Sequence, residues 1–319
     1  MGTSRESHTA VNNEDSPITI LMNANAGSKD KFAVRAAIDA AVQGSRRDIE
    51  LVVARHPRDL PTLAHEAADR GAGVLAAAGG DGTLNAVASV ARERDLPLAV
   101  LPVGTFNYFA RDLGLPLEVA EAMRVITEGT LRRVAVGQVN GRLFLNNASI
   151  GLYRRLLEQR EQHKRRFGRT RHVAMLSALL TLWRRHPLYR LRLEIDGQPL
   201  TLSTLTVFFG RNALQMEQLG LDEAVCVARG EMAVLALREV NRLELLELIV
   251  RGAFARMEAA ENLRQYCAVK VEVDWLDQGS RRIRAAIDGE LIELDLPLVI
   301  EAVPDALQVV VPRVPDERR

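Results

Sequence analysis

The chain has 319 residues, 47% hydrophobic and 26% charged, which suits two folded domains and excludes a wholly disordered or low-complexity protein. Its net charge of +1 gives no global reason to expect nucleic acid as a partner. The longest apolar run, residues 173–183, is too short for a bilayer-spanning helix, which needs about 20 residues, so the expectation is a soluble or peripheral chain.

Residues 1–16 are polar, lack the apolar core of a signal peptide and read as a disordered N-terminus. From residue 17 to residue 132 apolar runs alternate with helical patterns. The runs are 18–22, 49–54, 74–78 and 98–101, and the helical patterns cover 32–42, 60–70, 84–94 and 118–128. Continuous apolar runs of this kind are buried parallel strands, and right-handed crossovers make them an open α/β sheet. Ligands of such sheets sit at the carboxyl ends of the strands. The loops NANAGSK, ARHPRD, GGDGTLN and PVGTFNYFARDLG should therefore gather along one rim.

Beyond residue 133 the pattern changes. Asn140-Gly141, Asp196-Gly197 and Asp288-Gly289 each separate strand-like runs and predict type I′ hairpins. Residues 133–305 are thus expected to form a mainly antiparallel β domain with inserted helices. Leu243, Leu246, Val250, Phe254 and Met257 repeat at helical spacing and mark a core-facing stripe. A last strand-like run, 307–311, lies within a C-terminal segment, 306–319, expected to return to the first domain and then fray. Cys226 and Cys267 are far apart, match no metal-binding spacing and read as reduced core residues of an intracellular protein.

Charge is unevenly spread. Residues 151–192 hold twelve Lys/Arg against two Glu, interleaved with a Leu- and Trp-rich helical stretch. A basic amphipathic element suits an anionic membrane surface. The competing reading is a solvated basic helix packed on its own domain.

The most informative stretch is LAAAGGDGTLNAVA, residues 75–88. A buried strand meets a turn with three glycines, Gly79, Gly80 and Gly82, and a helix follows. Glycine leaves room for a ligand to approach bare backbone, and a helix start offers unpaired amides and a positive dipole end. Asp81 sets a carboxylate where a phosphate-bound Mg²⁺, or a hydroxyl to be deprotonated, could sit. Neither GxxxxGK[ST] nor GxGxxG occurs here, so this is not a P-loop or a dinucleotide fingerprint.

Three further segments stand in order around it: NANAG at 23–27, PVGTFNYFAR at 102–111 and DGE at 288–290. Together they resemble the diacylglycerol kinase catalytic family, which includes bacterial lipid kinases and sphingosine kinases. The resemblance runs from about residue 18 to residue 312. GGDGT alone is shared with NAD kinases, and its combination with PVGTFNYFAR separates the two. The resemblance implies ATP on the rim. It implies a phosphate loop of Gly79, Gly80, Asp81, Gly82, Thr83, Leu84 and Asn85, a neighbouring loop of Gly104, Thr105 and Asn107, and a first loop of Asn23 and Gly27. His56 falls where the family often has a nucleotide-contacting threonine.

Two carboxylates are implied for catalysis. Bacterial members use the glutamate of D-G-E, here Glu290, as the base. Sphingosine kinases are assigned the aspartate of GGDG, here Asp81. The reading adopted is Glu290 as base and Asp81 organising Mg²⁺–ATP, with a hydroxyl-bearing lipid as acceptor and the active site between the two domains. Asn147, Ser149 and Gly151 match a family motif near that cleft. Such an enzyme is expected in the cytoplasm, peripherally on the inner leaflet, with no nucleic-acid partner.

Three residues depart from the family pattern. Ala24 stands for a proline, and Tyr108 for the aspartate of N-D-F-A-R. Arg229 stands where a structural-metal aspartate is usual, so that metal site is not expected. Two other readings stay open: an NAD kinase-like enzyme, and a nucleotide-binding membrane regulator without turnover.

Overall fold

The structure is a computed structural model that describes residues 9–10, 16–24, 31–151, 188–218, 220, 224–240, 244, 262–276 and 281–313. The chain divides into two compact units, Met1–Val136 with Pro304–Arg319, and Gly137–Val303. The helical stripe from Leu243 to Met257, apart from Glu244, which is outside it, and the basic stretch 152–187 lie outside the described residues.

The first unit follows the alternation of the sequence. A short strand β1 (Thr9–Ala10) precedes β2 (Ile18–Asn23), α1 (Lys31–Gly44), β3 (Ile49–Ala54), α2 (Leu60–Asp69) and β4 (Val74–Gly79). Then come α3 (Asp81–Glu93), β5 (Leu98–Pro102), α4 (Tyr108–Asp112), α5 (Val119–Glu128) and β6 (Thr130–Val139). Strands β3, β2, β4 and β5 lie side by side in that order, all parallel. Every residue of β4 and β5 is buried, as continuous apolar runs require. The alanines of β4 are small because helices cover the sheet, and α3 turns Leu84, Val87, Ala88 and Ala91 into the core. Met123 and Ile126 of α5 lie fully buried in a cluster with Ile20, Ile38 and Leu101. Each such side chain contributes about 1.5–3 kcal/mol.

The second unit is built from antiparallel ladders. Its strands are β7 (Arg142–Phe144), β8 (Asn147–Gly151), β9 (Tyr189–Ile195), β10 (Gln198–Thr204) and β11 (Thr206–Gly210). After helices α6 (Ala213–Gln218) and α7 (Ala224–Ala228) come β12 (Met232–Leu237), β13 (Leu263–Ala268), β14 (Lys270–Trp275), β15 (Arg282–Ile287) and β16 (Glu290–Asp295). One six-stranded sheet has the order β13-β12-β11-β8-β15-β16. Strands β9, β10 and β14 form the opposing layer. Ile150, Phe209, Val234 and Ala285 from the first layer meet Leu193, Val271 and Val273 from the second in one buried cluster. This is sandwich packing of two inner faces. β12 is buried throughout, because Ala233 and Leu235 on its other face pack with Phe208 and Met216 of α6.

The three hairpins form as their sequences predict. Asn140-Gly141, Asp196-Gly197 and Asp288-Gly289 all have both residues at positive φ, which a type I′ turn requires. The final strand, β17 (Leu298–Val311), is antiparallel to β14 through residues 298–301. Its Val309 lies parallel to Leu98 of β5. Among the described residues no helix is long and apolar enough to cross a membrane.

One expectation is overturned. Cys226 and Cys267 are disulfide-bonded. They are 41 residues apart in sequence, but α7 leads straight into β12, and β12 pairs with β13, so the register sets Cys267 beside Ala233. Sequence distance hid a contact that strand pairing creates.

Candidate functional site

In the first unit the chain leaves β2 for β3 on one side, then crosses to β4 on the other. That reversal is the switch point where open α/β sheets bind ligands, beyond the strand carboxyl ends. The registers align those ends: Asn23 beside Ala54, Met22 beside Ala78 and Gly79 beside Pro102. Asn23, His56, Gly79 and Gly104 therefore sit on or just past strand ends along one rim. His56 is exposed, and its backbone N–H donates to Asp59 Oδ2 at 3.2 Å. Gly27 of the first loop lies outside the described residues.

Only Gly80 separates β4 from α3. It has extended backbone angles, φ −93° and ψ −173°, and serves as the N-cap. The first bond of the helix runs from the Leu84 N–H to the Gly80 carbonyl at 3.0 Å. The amides of Asp81, Gly82 and Thr83 therefore precede the helical ladder, at the positive end of a 13-residue helix. Such an end is an anion cradle. The Thr83 and Leu84 side chains are buried, and the Leu84 N–H is used in the helix, so of these two only the Thr83 amide can meet a phosphate. Asp81 and Asn85 are half-buried, four positions apart on the same helix.

The glycines are required by close approach. A Cβ on Gly79 would overlap the Thr83 side chain, and one on Gly104 would overlap Gly80 Cα. The Gly104 N–H donates to the Gly79 carbonyl at 3.2 Å, so the two loops are latched backbone to backbone. Asn107 sets the second loop. It caps α4 in the left-handed region, φ 50°, and its Nδ2 donates to the Pro102 carbonyl at 3.2 Å and the Gly104 carbonyl at 3.0 Å. Asparagine tolerates that conformation better than most residues. Thr105 is exposed, and Phe106 stacks on Tyr108 with ring centroids 5.6 Å apart. Tyr108 thus fills the position of the family's aspartate with an aromatic pair.

The second unit carries the late D-G-E. Asp288 Oδ1 accepts the Asn146 and Asn147 amides at 2.8 and 3.0 Å, and Oδ2 accepts that of Leu145 at 2.7 Å. The other Asp-Gly turn behaves alike: Asp196 accepts the amides of Val269 and Lys270. Both aspartates therefore tie a hairpin to a neighbouring segment, a role sequence reading missed because the partner amides lie far away in the chain. Glu290 is different. The residue as a whole is exposed, yet desolvation of its carboxyl raises its pKa above the ordinary 4.5. On β8, which pairs with β15 of the same hairpin, Asn147 Nδ2 donates to Gln215 Oε1 at 2.9 Å, while Ser149 and Gly151 lie buried along the strand. Arg229 is exposed just beyond α7.

An open α/β unit with a glycine-latched helix start, followed in the chain by an antiparallel sandwich, defines the class: a two-domain α/β and β-sandwich protein. Residues 17–139 match the diacylglycerol kinase catalytic domain, and residues 147–311 match the YegS C-terminal NAD kinase beta sandwich-like domain. The chain belongs to this family. Over 309 residues, 93% of this chain and 95% of the relative, it is 28% identical to a diacylglycerol kinase of Mycobacterium tuberculosis. Over 140 residues it is 41% identical to a Pseudomonas aeruginosa protein named "Probable lipid kinase YegS-like". That alignment covers 43% of this chain and 45% of the relative, so the match spans about half the length of that relative. A solved diacylglycerol kinase from Bacillus anthracis shares the fold, with TM-score 0.67 at 20% identity over 92% of this chain and 96% of that one.

Proposed function

We propose that the chain is a lipid kinase that transfers the γ-phosphate of ATP to a hydroxyl of a membrane lipid. The observation that carries this reading is the latched pair of glycine loops at the start of α3, set at the switch point of the sheet. The phosphates lie along the amides of Asp81, Gly82 and Thr83, with Gly104 and Thr105 closing one side and Asn23 the other. Asn107 holds the second loop in shape. His56 sits further along the same rim.

Asp81, Asn85 and Asn23 are hard oxygen donors, which fits Mg²⁺. Bound there, Mg²⁺ would offset the charge of the phosphates. Asp81 is the residue that would hold it. Glu290 accepts the proton of the acceptor hydroxyl. The lipid oxygen then bonds to the γ-phosphorus, the bond from that phosphorus to the β–γ bridging oxygen breaks, and ADP leaves. A carboxyl with a raised pKa is a better proton acceptor than an ordinary glutamate. The lipid is taken from the cytoplasmic face of a membrane, and the basic stretch 151–192 supplies charge for that surface.

The test is incubation with radiolabelled ATP and total bacterial lipid extract, with diacylglycerol and NAD⁺ as separate acceptors. A labelled lipid is expected. Labelled NADP⁺ with no labelled lipid would replace this reading by the NAD kinase-like one. No labelled product from any acceptor would leave a nucleotide-binding regulator.

A further inference from the structure

Helix α7 ends in a turn that forces two side chains together. Gly230 is left-handed, φ +85°. The Gly230 N–H donates to the Val227 carbonyl and the Glu231 N–H to the Cys226 carbonyl, both at 3.0 Å. This pair of bonds is a Schellman cap, which brings the residue after the glycine against one in the last helical turn. Two apolar groups usually meet there. In this chain the two are Cys226 and Glu231. Strand β13 adds Cys267, whose Cα is 5.3 Å from that of Cys226. One ligand atom from each of the three residues lies within 4.8 Å of the others. Arg211 is itself buried, and its Nη1 donates to the Val227 and Glu231 carbonyls at 3.4 Å each, bracing the turn.

Oε2 of Glu231 is buried and has no hydrogen-bond partner among the described residues. A buried carboxylate oxygen without a donor or cation is costly. The disulfide beside it supplies neither a strong donor nor a charge. Reduced, the same two sulfurs become thiols next to that oxygen, and a bound cation converts them to thiolates. Two thiolates and a carboxylate suit a thiophilic divalent cation such as Zn²⁺, with water as a fourth ligand. Cys267 is exposed, so a reductant can reach the bond.

We propose that Cys226, Cys267 and Glu231 form a redox-gated site for a thiophilic divalent cation. A dithiol reductant opens the bond: its two electrons and two protons pass to the cysteine sulfurs, and it leaves as its own disulfide. Binding of the cation then releases the two thiol protons. A small-molecule disulfide reverses the step: the two cysteine sulfurs rejoin, the cation leaves to water, and the oxidant takes up two electrons and two protons and leaves as its dithiol. The site is independent of the kinase reading and uses none of its residues.

The experiment takes the full chain in two states, air-oxidised and reduced with dithiothreitol that is then removed under nitrogen. Each is titrated with Co²⁺, followed by sulfur-to-metal charge-transfer absorption, and then with Zn²⁺. The reduced chain is expected to show the band at one Co²⁺ per chain and lose it to one Zn²⁺. The oxidised chain shows none. Glu231→Gln keeps the band but binds at least about tenfold more weakly. Cys226→Ser loses the thiolate pair and most of the band. No band in the reduced wild type overturns the proposal, as does an undiminished band in Cys226→Ser. Equal affinity in wild type and Glu231→Gln removes Glu231 from the site and overturns the proposal as stated. The comparison of the two redox states needs no variant and does not depend on any variant folding.

Discussion

Glu290 and Asp288 sit two positions apart in one turn and do different work. Asp288 spends both oxygens on three backbone amides, and Glu290 keeps a carboxyl with a raised pKa. If Glu290 is the base, Glu290→Gln should lower kcat by about 10²–10⁴-fold while ATP affinity, measured by equilibrium dialysis, stays near that of the wild type. Equal turnover would remove Glu290 from the reaction. Stability provides a second readout. A carboxyl whose pKa is raised on folding binds its proton more tightly in the folded state, so it disfavours folding once the unfolded form ionises, above about pH 4.5. Glu290→Gln should then raise the urea midpoint at neutral pH, and the gain should vanish as pH falls below that value. For Asp288→Ala the expectation is the reverse: loss of an anionic acceptor for three amides costs on the order of 3 kcal/mol in urea unfolding. Asp288→Asn, which keeps one oxygen and the left-handed turn, should fall between.

At the scale of elements, the glycine turn before α3 is a packing problem before it is a chemical one. Gly104→Ala drives a methyl into Gly80 Cα, and Gly79→Ala drives one into the Thr83 side chain. Both should lower stability by about 1–3 kcal/mol and weaken ATP binding with it. Gly80→Ala separates the two effects. Its backbone angles suit any residue, and an added Cβ would sit 3.4 Å from Gly104 Cα, an ordinary contact. That variant should keep the wild-type Tm, and if the phosphates lie against Gly80 it should still lose ATP affinity. Unchanged affinity would move the nucleotide off this loop. The strands and helices themselves were legible in the sequence because buried parallel strands leave continuous apolar runs. The helix starts were less so: α3 begins at Asp81, three residues before the apolar pattern starts at Leu84, because its first turn, Asp81-Gly82-Thr83, holds no apolar residue for the periodicity to register.

At the scale of the whole molecule, two predictions concern linkage and surface charge. Closing the segment between Cys226 and Cys267 restricts the unfolded chain, and reduction should cost up to about 4 kcal/mol in unfolding free energy, read as a fall in urea midpoint with dithiothreitol. The basic stretch 151–192 should bring the chain down with anionic vesicles but not neutral ones, and added salt should release it, since screening acts over about 8 Å at physiological ionic strength. The family was readable because several short glycine motifs stand in one order along the chain.

Period and turn chemistry are local, so the sequence alone determined the alternating α/β half, the three I′ hairpins and the glycine turn before α3. Contacts between residues distant in the chain are not written in any local pattern. Only the tertiary structure decided that Gly104 presses on Gly80, that Asp288 holds the amides of residues 145–147, and that Cys226 meets Cys267 beside Glu231. In each case strand register or backbone approach, set by the packing of whole elements, chose the partner.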